Sequence, residues 1–180
     1  MARRPQATAR DMIVALLVLL VPMIAITVFF TRTPDPQPTR VDWAPPAAAG
    51  EAASPYRLAI PEGLPDTWTC VRARWTAKGD PGLSGDPVPG NTWQLGFLSP
   101  EQRYLGLDQR DDAAASLVAD VTQDGRRDGT SALGGASWER WISPDGRTRA
   151  LVITEGGSTL VLSGDVPYAA LEAFATTLRR

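Results

Sequence analysis

The stretch 148-TRALVITEGGSTLVLSG-164 holds two short apolar runs, ALVI and LVL, parted by Gly156 and Gly157. Runs of this length, rich in Val, Ile and Leu and bounded by turn residues, read as β-strands joined by a tight connection. A strand with one wet face alternates apolar and polar residues. These two do not, so both sides of their sheet are covered, at least in part. Strands with cover above and below imply helices, and the chain supplies them on either side in sequence.

Upstream, SWERWIS (137–143) is joined to TRALVIT by PDG, which extends the pair into a meander. Trp138 and Trp141 have opposite parity, so each is expected in the core on its own side of the sheet. Downstream, Pro167 opens a helix whose stripe is Leu171, Phe174, Ala175 and Leu178. Nearer the N-terminus, TCVRARW alternates Val71, Ala73 and Trp75 with Arg72 and Arg74. TWQLGF does the same with Trp93, Leu95 and Phe97, and RYLGL puts Leu105 and Leu107 on one face. DDAAASLVADVT then places Ala114, Leu117, Val118 and Val121 at helical spacing behind Asp111 and Asp112, which suit a helix start. DGRRDGTSALGGAS reads as a polar, Gly-rich loop. The expected fold class is α+β, with residues 55–180 forming an antiparallel-sheet and two-helix sandwich.

The N-terminal part is different. Met12 to Phe30 is an uncharged run of 19 residues, about 28 Å as a helix, against a bilayer core of roughly 30 Å. Arg3, Arg4 and Arg10 precede it, which orients residues 1–11 as a cytoplasmic tail and everything after Thr31 as extracytoplasmic. Pro22 could end a signal-peptide core. Cutting after Ala25 would put Met23 at the −3 position, however, and the apolar run continues to Phe30. Residues 12–30 are therefore read as a retained transmembrane signal anchor, in which a proline is tolerated. Residues 31–54, with prolines at 34, 36, 38, 45 and 46, read as an extended, semi-rigid spacer. Trp43 is read as a loosely docked or interfacial aromatic.

Composition excludes a good deal. The chain has 180 residues, a formal charge of −2, no histidine and one cysteine. Lys78 is the sole lysine. No strong field points to nucleic acid. Lack of histidine removes the usual neutral-pH base and any Ser-His-Asp arrangement. Cys70 can form no intrachain disulfide and reads as a small buried hydrophobe. DVTQDGRRDGTS places Asp120, Asp124 and Asp128 at EF-hand positions, but Ser131 stands where the bidentate glutamate belongs, so a solvated turn is expected and no metal. Arg72 and Arg74 on one strand, with Arg147 and Arg149 on another, would form an anion-binding patch if those strands were neighbours. These four are the candidate binding residues; no catalytic residue and no cofactor is assigned.

The succession YRLAIPEGLPDTWTCVRARW, TWQLGFLSPEQRYLGLDQRD, LGGASWERW and STLVLSGDVPYAALEAFATTL resembles a family of uncharacterised actinobacterial single-pass membrane proteins, a domain of unknown function numbered 4245. The matches include Tyr56 with Pro61, Leu64-Pro65 ahead of Trp68, Trp93 and Gly96, Tyr104 followed by Gln109, Gly135 before Trp138, and Ser163-Gly164. The resemblance implies a single-pass topology and an actinobacterial envelope location, and it brings no catalytic residues. The expected function is a non-catalytic envelope module at the plasma membrane that binds a protein or wall component. Beside it stand a small-ligand sensor and a histidine-free hydrolase acting through carboxylates.

Overall fold

The computed structural model describes residues 9–31 and 39–180. The chain divides into two compact units, Met1–Gln37 and Pro38–Arg180. Arg3, Arg4, Arg32 and Asp35, and the prolines at 34, 36 and 38, lie outside the described residues.

In the first unit, helix α1 (Ala9–Thr31) runs for 23 residues with Pro22 inside it. Among the described residues no helix is long and apolar enough to cross a membrane. The side chains of α1 are described without a break over 12–27, and all of these are exposed.

The second unit opens on helix α2 (Ala44–Ala53) where an extended spacer was expected. Pro45 and Pro46 fall in its first turn, where backbone N–H groups have no intrahelical partner, so they start the helix instead of denying it. Ala47 and Gly50 are its buried residues. A Cβ at Gly50 would come within 2.7 Å of Leu58 and 3.1 Å of Trp75, so glycine sets how closely α2 seats.

The main sheet is antiparallel, and its members in chain order are β2 (Thr69–Thr76), β3 (Thr92–Leu98), β4 (Tyr104–Arg110), β5 (Arg126–Leu133), β6 (Ala136–Ile142), β7 (Arg149–Glu155) and β8 (Ser158–Gly164). Their spatial order is β2-β3-β4-β8-β7-β6-β5. Helix α3 (Ala114–Thr122) connects β4 to β5, and helix α4 (Tyr168–Ala175) follows β8. Two short strands, β1 (Ile60–Pro61) and β9 (Leu178–Arg179), pair separately. The unit thus has three helices, one more than the sandwich expected from sequence.

Strands β7 and β8 sit near the middle of the sheet, and both of their faces are buried, as their unbroken apolar runs imply. One face carries the larger core, with Trp93, Leu95, Phe97, Leu107, Trp138, Leu151 and Leu162 beneath Leu171 and Phe174 of α4. The other face carries a smaller cluster of Ala150, Val152 and Val161 under Leu117 and Val118 of α3, with Trp141 at its margin. The two tryptophans of β6 therefore part as their parity requires. Trp138 is fully buried and Trp141 half-buried.

Three local departures have physical causes. The polar loop expected after α3 is edge strand β5, exposed along most of its length. An edge strand with little burial shows no apolar alternation, and its register shift between Arg127 and Gly129 adds a bulge, with Gly129 at φ 113°. In β2 a register shift between Cys70 and Arg72 removes Val71 from the alternation, so Cys70 joins Ala73 and Trp75 on the core face. Asp111 and Asp112 do not cap α3, whose N-cap is Ala113. The Asp111 carboxylate instead accepts from Asn91 N at 2.7 Å and Nδ2 at 2.6 Å. Leu178 has likewise left the α4 stripe for β9, where Arg179 pairs with Glu51 and Glu62.

Helix α4 is clasped to the sheet by Glu172. Its Oε1 accepts from Ser131 Oγ and from Arg140 Nη2, each at 2.6 Å. The Ser131 hydrogen bond, followed by that of Arg140, holds the carboxyl below its ordinary value. A depressed carboxyl stabilises the fold fully above the unfolded value and loses that contribution as pH falls through the folded one. Glu172→Gln is therefore expected to melt below the wild type near neutrality. The gap should begin to narrow below about pH 4.5, the ordinary carboxyl range, and close only once pH has fallen through the depressed folded value. Melting curves across the acid range check this, and a gap that stays constant down to about pH 3 would refute it.

Candidate functional site

Strand register determines which side chains share a face. Across β2, β3, β4 and β8, one row holds Arg72, Gly96, Gly106 and Ser163. The next holds Arg74, Gln94, Asp108 and Val161, and the third Thr76, Thr92, Arg110 and Thr159. All lie on the face that α3 covers over β7 and β8. Over β2 to β4 that face is polar, while the reverse of the same strands presents Trp93, Leu95, Leu105 and Leu107 to the core.

Asp108 sits at the centre of the polar half and is only 7% exposed. Its Oδ1 accepts from Gln94 Nε2 at 2.7 Å and from Arg72 Nη2 at 3.4 Å. Neither bond uses Oδ2. Arg72 reaches Asp108 across β3, and its Nε is buried with no acceptor among the described residues. Arg74 turns the other way, donating to the Pro81 carbonyl at 2.6 Å and to Thr76 Oγ1 at 3.0 Å. Arg110 approaches Asp120 of α3 at 3.5 Å, and its Nε also lacks an acceptor. A cavity of about 330 Å³ opens at this end of the face, between Arg74, Gln94 and Arg110 and the loop bearing Leu83 and Pro87.

Tyr104 completes the surface at the other end. Its ring lies across the two glycines: a Cβ at Gly96 would stand 2.6 Å from the phenol oxygen, and one at Gly106 3.3 Å from the ring. Gly96 and Gly106 thus make a flat strip that only the absence of side chains allows. The residue remains 41% exposed. Burial pushes the phenol's pKa up, and the neighbouring Arg72 partly opposes that shift.

Of the four arginines singled out from sequence, the structure brings only Arg72 and Arg74 to this face. Three strands separate β2 from β7, and Arg149 pairs with Gly164, which is in register with Leu105 on the core face. Arg149 therefore points to the opposite side, its guanidinium 5.9 Å from the Tyr168 ring centre. Arg147 is exposed in the turn before β7. No four-arginine patch forms. Gln94, Tyr104, Asp108 and Arg110 were missed, although each occupies the alternate parity to a recognised apolar residue on its own strand.

The remaining candidates fall elsewhere. Asp120, Asp124 and Asp128 lie on α3, in the turn after it and on β5, so they form no single loop. Asp128 accepts from the Tyr168 hydroxyl at 3.0 Å, and among the described residues no group of three metal-ligating side chains gathers. Cys70 is buried, which pushes its thiol pKa up. Trp43 packs against the larger core and lines a cavity of about 520 Å³ with Leu64, Trp68 and Phe97. A third cavity, of about 400 Å³, lies between Ala115 and Val118 of α3 and Trp141 and Val152 of the sheet.

With this geometry in place, comparison with known proteins assigns the chain to a family. It belongs to the family described as Protein of unknown function (DUF4245), whose model matches residues 4–178. No curated protein matches it. Among solved structures it is similar to a chain of the MucA/MucB complex of Pseudomonas aeruginosa, at 17% identity and a TM-score of 0.37. That likeness covers 69% of this chain and 35% of the other, so the chain spans about a third of the length of the protein it matches.

Proposed function

We propose that the chain is a non-catalytic binding module of the cell envelope. Residues 12–30 anchor it in the plasma membrane, and the unit Pro38–Arg180 is held outside to engage an envelope component through the polar half of its sheet. The observation that carries this reading is the buried, charged centre of that face. Asp108 is 7% exposed and takes its hydrogen bonds on Oδ1, while the Arg72 and Arg110 Nε atoms nearby are buried and have no acceptor among the described residues. Buried polar groups are normally paired, and leaving one unmet costs about 1–3 kcal/mol. A face that carries such groups without helical cover is built for something other than its own stability. The anchor is supported by the uncharged run itself, preceded by Arg3, Arg4 and Arg10.

A small-ligand reading has one observation in its favour, the cavity beside Trp141, which is lined mainly by Ala, Val and Trp. It ranks second because one of that cavity's polar lining groups, Glu139, is already taken up by Trp141 Nε1 and Arg127.

The test uses the full-length protein in its native membrane, with a photo-crosslinking benzoylphenylalanine at position 94 or, as control, at position 147. The protein is expected to stay with the membrane through an alkaline carbonate wash. Irradiation should give adducts from position 94 well above those from position 147. Release by the wash would remove the anchor from the reading. Equal or absent adducts at the two positions would remove the binding face.

A further inference from the structure

We infer that the polar face is a saccharide site, taking a neutral, polyhydroxylated sugar unit of an envelope glycan against Tyr104, Arg72, Asp108 and Gln94. The inference rests on the binding face proposed above and names its ligand class.

The groups left free on this face are of mixed character. Arg72, its side chain 34% exposed, offers Nη1 N–H donors that no hydrogen bond among the described residues uses, Asp108 an Oδ2 that receives none among them, and Gln94 a carbonyl oxygen that neither of the face's hydrogen bonds uses. A sugar hydroxyl both donates and accepts, and a vicinal pair presents both functions a few ångströms apart. Beside these groups lies the ring of Tyr104, a residue 41% exposed, set across the Gly96–Gly106 strip. A flat aromatic face with a polar rim suits the C–H face of a sugar ring, whose slightly positive hydrogens meet the negative π-cloud.

The charges argue against an anionic polymer. Arg72 is compensated by Asp108 beside it, Arg74 is drawn off to the Pro81 carbonyl, and Arg110 faces Asp120. The one unpaired positive charge of the three is on Arg74, which is turned away to the Pro81 carbonyl, so an anion approaching Tyr104 would meet the compensated Arg72–Asp108 pair and no cluster of free arginines. Nor does the centre resemble a protein-docking patch, because the middle of such an interface is depleted of charged residues and this one is built on them.

The test is binding of chitotetraose, linear arabinan, mannan and dextran to the full-length protein in nanodiscs free of glycolipid, with polyphosphate as the anionic probe. At least one neutral glycan is expected to bind. Tyr104→Ala and Asp108→Asn should each weaken that binding about tenfold, which corresponds to roughly 1.4 kcal/mol. Arg147→Ala should leave it within about twofold, roughly 0.4 kcal/mol. Melting curves accompany each variant. If Tyr104→Ala melts early, Gln94→Leu, which keeps the volume and removes the amide, takes its place. No neutral glycan binding, binding indifferent to Tyr104 and Asp108, or binding of polyphosphate alone would each overturn the saccharide class. Crosslinking at position 94 together with glycan silence would do so while leaving the binding face intact.

Discussion

Trp93→Ala is expected to cost about 3–5 kcal/mol, the range for removing a buried aromatic from a core. Trp93 is fully buried on the larger core face of β3. It pairs in register with Trp75 on one side and Gln109 on the other. Its Nε1 donates to the Ala59 carbonyl at 2.9 Å, tying the extended segment before β1 to the sheet. Alanine would leave both a cavity and a buried carbonyl without its donor, so the loss should fall in the upper part of that range. For a unit of this size each kcal/mol lowers the melting temperature by about 2–4 °C, so a drop on the order of 10–15 °C is expected. Trp93→Phe separates the two causes. It refills much of the volume but not the hydrogen bond, and should cost about 1–3 kcal/mol. Urea unfolding of the two variants and the wild type measures all three values. A loss below about 2 kcal/mol for alanine would mean that this end of the core collapses around the gap and does not depend on Trp93 for its order.

The sheet was legible wherever burial left a periodic trace. In β3 and β4 the alternation of Trp93, Leu95 and Phe97, and of Leu105 and Leu107, is the core face itself. The unbroken runs of β7 and β8 announce cover on both sides. Where burial is slight, the trace fades. β5 is almost wholly exposed, so nothing in RRDGTSAL separates an edge strand from a loop except the partner beside it. Helix α2 was hidden for another reason: prolines forbid a helix interior but favour its first turn, and no apolar stripe marks a helix that buries only Ala47 and Gly50.

The candidate site shows a sharper limit. Arg72 and Arg74 stood out because alternating arginines are conspicuous, but their true neighbours are set by sheet order, which one sequence does not reveal. Arg149 was grouped with them by composition, and register puts it on the opposite face. Asp108 gave no signal of its own, because an aspartate after Leu105 and Leu107 reads as a solvent-facing residue until Gln94 and Arg72 are placed beside it. The parity was visible; the adjacency was not.

Gln109→Leu is expected to act on that same core from its polar side, at a cost of about 3 kcal/mol. Gln109 is 4% exposed, on the core face of β4. Its Oε1 accepts from Ala59 N at 2.8 Å, and its Nε2 donates to the Arg57 carbonyl at 3.0 Å and to Ser158 Oγ at 2.9 Å. One side chain thus meets both backbone groups of a segment that has no regular sheet partner before Ile60. Leucine keeps the volume, so cavity formation adds little; what is lost is pairing for a buried N–H and a buried C=O. The effect should be local. Amide exchange at Ala59 and Ile60 is expected to accelerate well beyond any change in β7 or β8, because the segment can detach while the central strands stay paired. Gln109→Glu should be no milder: when ionised it can still accept from Ala59 but turns a carboxylate, with no proton to donate, toward the Arg57 carbonyl. Unchanged exchange at Ala59 in both variants would mean that the Trp93 hydrogen bond and apolar packing hold the segment without Gln109.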